Sequence, residues 1–345
     1  MESIIFTTQI APDLERYLSS KSYSKLGVIM DSNTHQACYP LIQAVLPAHE
    51  HFAFEAGEVN KTLDTCQKIW QWMTDCGFDR QSLIINLGGG VTGDMGGFCA
   101  STYKRGLRFL NIPTSLLSQV DASVGGKLGV DFNGFKNHIG VFNEPESVII
   151  SASFLQTLPH SELRSGYAEV LKHGLIRNEN YYNSLKTQNW ETQNWKDIIE
   201  KSVSIKKEVV SKDPKEEGLR KILNFGHTVG HAVESYYLDT ERHLLHGEAI
   251  AVGMIAEAYL STTHIRLPKE DLERIKDTLL TIFGKVEIPA EDIASITQLC
   301  FQDKKNDGKT INCSLLKKIG ECDYNIAVST DDISKSLEYY NDLQP

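Results

Sequence analysis

Ser82-Leu83-Ile84-Ile85-Asn86-Leu87-Gly88-Gly89-Gly90-Val91-Thr92-Gly93-Asp94 is the stretch whose reading decides the fold. Its apolar opening reads as a buried parallel strand, and three consecutive glycines stand where that strand would end. Glycines there let backbone N–H groups approach a pyrophosphate at a distance that a Cβ would deny. The small, apolar residues that follow, Met95 to Tyr103, suit a helix packed tightly on a sheet. A glycine cluster between strand and helix points to a dinucleotide or phosphate site, with a plain tight turn as the simpler alternative. The pattern departs from both G-x-G-x-x-G and the Walker sequence, so neither motif is claimed.

Outward from this stretch, Leu26–Met30, Leu107–Ile112 and Ser147–Ile150 are further short runs of branched or large apolar residues. Lys61–Met73 carries apolar residues at helical spacing between the first two runs. Such alternation predicts an α/β domain with a mainly parallel, Rossmann-like sheet. Beyond Pro159 helical patterns take over, at Ser161–Leu175, Ile198–Val210, Ile222–Tyr237, Gly247–Ser261 and Lys269–Phe283. Thr310–Leu316 and Tyr324–Val328 interrupt them as a hairpin. The chain therefore reads as an α/β domain over residues 1–158 and a helical domain over 159–345, the boundary falling where a proline disfavours a continuing helix. The echo Thr187–Trp190 and Thr192–Trp195 reads as a polar surface loop or frayed helix.

A length of 345 residues suits two domains. The net charge of −10 argues against a general nucleic-acid binder but leaves room for a small anion in a local basic cluster. Seven cysteines without a C-x-x-C pair read as reduced thiols, mostly in the core. The amino terminus lacks a signal-peptide pattern, and no apolar run is long enough to span a bilayer, so a cytoplasmic protein is expected.

Chemistry-bearing residues concentrate in the second half. Glu169, Lys172 and His173 are spaced to share one helix face, as are His227 and His231, and His246 opens a further helix. One carboxylate with two imidazoles is a common catalytic zinc arrangement. Spacing by itself leaves a metal centre and a set of packing histidines equally open. His35, His51, His138, His160 and His243 read as surface or packing residues. In the first half Arg105, Lys127 and Lys136 fall in glycine-rich connections, where Lys127 and Lys136 are candidates for phosphate contacts.

Taken in order, the motifs form a recognisable series: Gly88-Gly89-Gly90-Val91-x-x-Asp94, Tyr103-x-Arg105-Gly106, Pro113-Thr114-Ser115-Leu116-Leu117, Val120-Asp121-Ala122-Ser123-Val124-Gly125-Gly126-Lys127 and Lys136-Asn137. Glu169-Val170-Leu171-Lys172, the run from Arg220 through Asn224, His227 and His231 to Ala232, and His246-Gly247-Glu248-Ala249 complete it. The chain closely resembles the 3-dehydroquinate synthase family from Asp31 to the Asp303-Lys304-Lys305 segment.

That resemblance implies an enzyme converting 3-deoxy-D-arabino-heptulosonate 7-phosphate to 3-dehydroquinate and phosphate, with catalytic NAD and a divalent metal, zinc or cobalt. It implies Glu169, His227 and His246 as metal ligands. Asp31, Asn33, Glu58, Lys61, Gly89, Gly90, Val91, Asp94, Thr114, Ser115, Phe154 and Thr157 match NAD-contacting positions, with Ser115 standing where threonine is frequent. Asp121, Lys127, Lys136, Asn137, Lys172, Lys206, Glu216, Arg220, Asn224 and His231 match positions around substrate, the first three also near cofactor. Lys127, Asn137 and His231 suit a phosphate, Lys206 and Arg220 a carboxylate. Arg105 matches an arginine that reaches a neighbouring subunit's phosphate pocket, which implies a homodimer, and Lys304 or Lys305 matches a substrate contact. Related cyclases of the deoxy-inosose and valiolone type handle substrates without the carboxylate, so Lys206, Arg220, Asn224 and His231 together favour the dehydroquinate reaction. A metal-dependent polyol dehydrogenase shares the architecture but has no need of so many anion-binding cations.

Overall fold

The computed structural model describes residues 3–133, 135–238, 240–301 and 311–344. The chain divides into two compact units, Met1–Pro159 and His160–Pro345.

In the first unit β1 (Ser3–Phe6), α1 (Ile10–Ser19), β2 (Leu26–Asp31), α2 (Ser32–Ala37), β3 (Glu50–Phe54), α3 (Leu63–Asp75), β4 (Leu83–Gly88), α4 (Gly90–Thr102) and β5 (Arg108–Pro113) alternate. An antiparallel hairpin, β6 (Lys127–Phe132) and β7 (Phe135–Phe142), precedes β8 (Ser147–Ile150). Six strands form one parallel sheet in the order β1-β8-β5-β4-β2-β3. Helices cover both faces, so the central strands are apolar on both rather than alternating, apart from the buried pair Asn86 and Asn111, whose side chains bond each other at 2.9 Å. Val28 and Met30 of β2 join Ile85 and Leu87 of β4 in a cluster with Leu14 of α1. Ile29 and Ile84 turn the other way, onto Ile69 of α3 and Met95 of α4. β3, with exposed Glu50 and His51, lacks an apolar run and forms an edge strand that periodicity does not flag. The lysine-bearing segment after Gly126, expected as a loose glycine-rich connection, is instead the β6–β7 hairpin.

The second unit runs α5 (His160–Arg177), α6 (Glu179–Ser184), α7 (Trp195–Lys212), α8 (His227–Tyr237), α9 (His246–His264), α10 (Lys269–Phe283), α11 (Ala290–Phe301), the antiparallel pair β9 (Ile311–Lys318) and β10 (Glu321–Val328), and α12 (Thr330–Asp342). α9 is apolar on nearly every side and packs against α5, α8, α10 and α12. The helix expected over Ile222–Tyr237 is divided: a 3-10 turn spans Leu219–Asn224, and α8 begins only at His227. Gly226 between them has φ +81, a left-handed conformation that ends one helix and re-aims the next. The Thr187–Trp195 segment is less peripheral than its polar composition implies, because Trp190 is buried with its ring stacked 5.2 Å from that of Tyr167.

Candidate active site

In the first unit β2 has β3 on one side and β4 on the other, so the direction of sheet growth reverses between β2 and β4. Ligands of open parallel sheets bind outside the strands' carboxyl ends at such a reversal. Asp31 closes β2 there. Its Oδ1 accepts from the Thr34 N–H at 2.8 Å and its Oδ2 from the Thr92 hydroxyl at 3.2 Å, which ties β2 to the first turn of α4. No side chain caps α4, leaving its amino-terminal N–H groups for an anion.

The glycines of this turn differ in what they spare. At Gly88 a Cβ would lie 2.4 Å from Thr92 Oγ1, so packing alone demands glycine. A Cβ at Gly89 or Gly90 would make ordinary contacts at 3.5 Å, one at Gly93 would meet nothing within 4 Å, and none of the three has a positive φ. Neither backbone conformation nor protein packing accounts for them, and the space they leave is open to a phosphate. Asn86, Gly88, Gly89, Gly90, Gly93, Asn111 and Ser118 line a small pocket at the same place. Thr114 is buried beside it with its N–H on the Gly88 carbonyl at 3.0 Å, and Ser115 bonds Ser118 Oγ at 3.0 Å.

Lys61 organises the rest of this rim. It is buried, and its Nζ donates to Asp94 Oδ2 and Asn137 Oδ1, each at 2.7 Å, with Glu58 4.0 Å away. Burial opposes its charge, but Asp94 and Glu58 outweigh that and raise its pKa. Lys136, on β7, approaches the same Glu58 at 3.9 Å, while Lys127 opens β6 and is exposed. Asn33 and Thr157 are exposed, Val91 is half-buried and Phe154 lies in the core. Asp121 is half-buried in a π-helical turn, Ser118–Ala122. Arg105 is exposed in a turn where both it and Lys104 have positive φ, +69 and +48.

In the second unit α5, α8 and α9 converge on one carboxylate. Glu169 of α5 is fully buried and pairs with Lys172 one turn along. His227 Nε2 lies 3.4 Å and His246 Nε2 3.6 Å from Glu169 Oε1. Donor atoms of the three residues fall within 4.8 Å of one another. Both imidazoles are held from behind: His227 Nδ1 is 3.2 Å from the Phe225 carbonyl, and His246 Nδ1 is 3.3 Å from Glu234 Oε2. Nitrogen and carboxylate donors facing inward, with the outer nitrogens engaged, fit a divalent metal with positions left open. Without a metal, burial disfavours a charged His246, but Glu234 and Glu169 prevail and lift its pKa to about 10. The metal would take that proton's place.

Other expected residues gather less closely. His231 stands one turn beyond His227, ring centres 4.8 Å apart. His173 turns toward α7, its Nδ1 2.7 Å from Ser202 Oγ. His243 is exposed, bonded through Nδ1 to the Leu238 carbonyl and outside the ligand group. Lys206 and Arg220 are both buried, on α7 and on the 3-10 turn that packs against it. Arg220 donates from NH1 to the Pro214 carbonyl at 2.6 Å, and Asn224 bonds Glu216 Oε1 at 2.7 Å. Lys304 and Lys305 lie outside the described residues. Sequence reading passed over Glu234, although it stands three residues beyond His231 on the same helical face. It also passed over Glu257, whose carboxylate accepts from the N–H groups of Gly226 and Val229 at the start of α8.

Comparison with known proteins covers both units. A family model described as 3-dehydroquinate synthase N-terminal matches residues 51–165, and one described as 3-dehydroquinate synthase C-terminal matches 166–306. The chain is 40% identical over 347 residues to the 3-dehydroquinate synthase of Parabacteroides distasonis, covering 99% of this chain and 98% of that one. It is 39% identical to that of Ruminiclostridium cellulolyticum over 88% of this chain and 86% of the relative. Among solved structures, a 2-deoxy-scyllo-inosose synthase complexed with carbaglucose-6-phosphate, NAD+ and Co2+ superposes with a TM-score of 0.85 at 26% identity, over 97% of this chain and 96% of that chain. A 2-epi-5-epi-valiolone synthase from Streptomyces hygroscopicus, with NAD+ and Zn2+ bound, shares the fold at a TM-score of 0.89 and 24% identity, over 99% and 96%.

Proposed function

This chain belongs to the 3-dehydroquinate synthase family, and from that premise we propose that it converts 3-deoxy-D-arabino-heptulosonate 7-phosphate to 3-dehydroquinate and inorganic phosphate. It is a carbon–oxygen lyase of the shikimate pathway, dependent on NAD and one divalent metal, zinc or cobalt. The observation that carries this reading is the Glu169–His227–His246 group in a chain 40% identical to a curated member over nearly its whole length. When bound, NAD supplies a hydride acceptor that is restored before product leaves, and the metal supplies a Lewis acid.

The protein's own residues divide the remaining work. The glycine turn and the α4 amino terminus hold the dinucleotide's phosphates, and Asp31 accepts from its ribose hydroxyls. Lys61, Glu58 and Asp94 stiffen that rim. Glu169, His227 and His246 hold the metal, with Lys172 pairing the same carboxylate. Arg220 and Lys206, buried cations on packed segments, orient the substrate carboxylate. Lys127 and Asn137 in the first unit, and His231 in the second, are each suited to a phosphate by their hydrogen-bonding groups. Arg105, carried outward on its left-handed turn, serves the phosphate pocket of a second copy in a homodimer. No helix among the described residues is long and apolar enough to cross a membrane.

Product analysis tests the assignment. The purified protein given the heptulosonate phosphate, NAD and zinc should release one phosphate per 3-dehydroquinate, with no net NADH. Net NADH would mark a dehydrogenase, and turnover only of a carboxylate-free sugar phosphate would mark a related cyclase.

A further inference from the structure

His227 and His246 are held in unlike ways. The ring of His227 is fixed locally, by the carbonyl of Phe225 two residues earlier. His246 has no such local support. It is the first residue of α9, follows the irregular stretch 240–245, and its side chain is 23% exposed. Its χ2 is a broad, roughly two-fold torsion, so a partner is needed to select which nitrogen the ring presents. What meets its Nδ1 is a side chain from another helix. Glu234 of α8 is 5% exposed, and its Oε2 lies 3.3 Å from Nδ1 while Nε2 faces Glu169. On α8 the residues His227, His231 and Glu234 fall at i, i+4 and i+7, one face of the helix. Donor atoms of His231, Glu234 and His246 also lie within 4.8 Å of one another, so the carboxylate stands beside both imidazoles.

We propose that Glu234 is a positioning residue for the metal centre: by accepting the Nδ1–H of His246 it fixes the ring with Nε2 turned toward Glu169 and His227. A carboxylate behind a ligating imidazole sets its tautomer and orientation, and losing it typically weakens metal binding by roughly 10- to 100-fold. The proposal rests on the metal reading of Glu169, His227 and His246, and the test separates the two.

Zinc affinity of the full-length protein is measured by chelator competition, together with the visible spectrum of the Co2+-loaded form and the melting temperature of the metal-free form. Glu234→Ala should bind zinc roughly 10- to 100-fold more weakly and alter the Co2+ spectrum. Glu234→Gln keeps an acceptor oxygen and should recover most of the affinity and the spectrum. Both metal-free variants lose the charged partner of His246 and should melt below the wild type by similar amounts, whereas only Glu234→Ala should lose zinc affinity. Wild-type zinc affinity in Glu234→Ala overturns the proposal while leaving the metal centre standing. Equal losses of zinc affinity in Glu234→Ala and Glu234→Gln overturn it in favour of a packing role. A wild-type protein that binds neither zinc nor cobalt overturns the metal reading and this inference with it.

Discussion

The two candidate sites use glycine for opposite ends. In the sheet unit Gly89, Gly90 and Gly93 leave space that no protein atom needs, and the candidate site consists of that space and of bare backbone N–H groups. Around the Glu169–His227–His246 group of the helical unit, glycine is consumed by packing. A Cβ at Gly253 of α9 would stand 1.9 Å from the Gly226 carbonyl oxygen, and one at Gly247 would stand 2.1 Å from that of Ser165. Helices α5, α8 and α9 thus approach nearly backbone to backbone, which allows Glu169, His227 and His246 to reach one another. A site for a phosphate is made by withholding side chains, and a site for a metal by forcing side chains together.

Removing a convergent side chain should have the largest effect. His227→Ala is expected to lose zinc and to lower turnover at least ~1,000-fold, about 4 kcal/mol of transition-state stabilisation, while remaining folded. Elemental analysis and circular dichroism check both halves of that statement. His243→Ala, outside the group, should retain full metal, and the reverse result would move the ligand assignment from His246 to His243.

Adding one methyl group probes the contrast directly. Gly253→Ala meets rigid backbone and should cost about 3 kcal/mol in urea unfolding, roughly 100-fold in the folding equilibrium. Gly93→Ala meets nothing, so its stability should hold or rise slightly, yet NAD titrated by calorimetry should bind more weakly. If Gly93→Ala binds NAD as the wild type does, the space at the turn is not a phosphate seat.

A smaller effect is expected where a buried cation rather than a metal ligand is changed. Arg220→Met should lower kcat/KM for the heptulosonate phosphate by at least about tenfold, the scale of one charge-assisted contact, with zinc content and NAD affinity unchanged. Affinity for inorganic phosphate, measured on the same sample, should hold. Its collapse with turnover intact would place Arg220 in the phosphate pocket.

Much of this arrangement is legible locally. The apolar run at Leu83–Leu87 ending in glycine, the helical spacing at Lys269–Phe283 and the i, i+4 pair His227 and His231 depend on near neighbours in the chain, and each lies in the element expected. The polar edge strand β3 and the hairpin carrying Lys127 and Lys136 were not legible, since their stability comes from partner strands rather than from their own periodicity.

By itself the sequence determined the strongly periodic elements, which positions are glycine and which residues carry donor atoms, because propensity, periodicity and side-chain chemistry are properties of short segments. Only the tertiary structure decided that α8 starts afresh at His227, that His246 rather than His243 faces Glu169, and that Glu234 stands behind it. Those depend on contacts between separate helices rather than on neighbours within one. They exist because the packing of α8 on α9, through Gly226 and Gly253, admits one close approach and excludes the others.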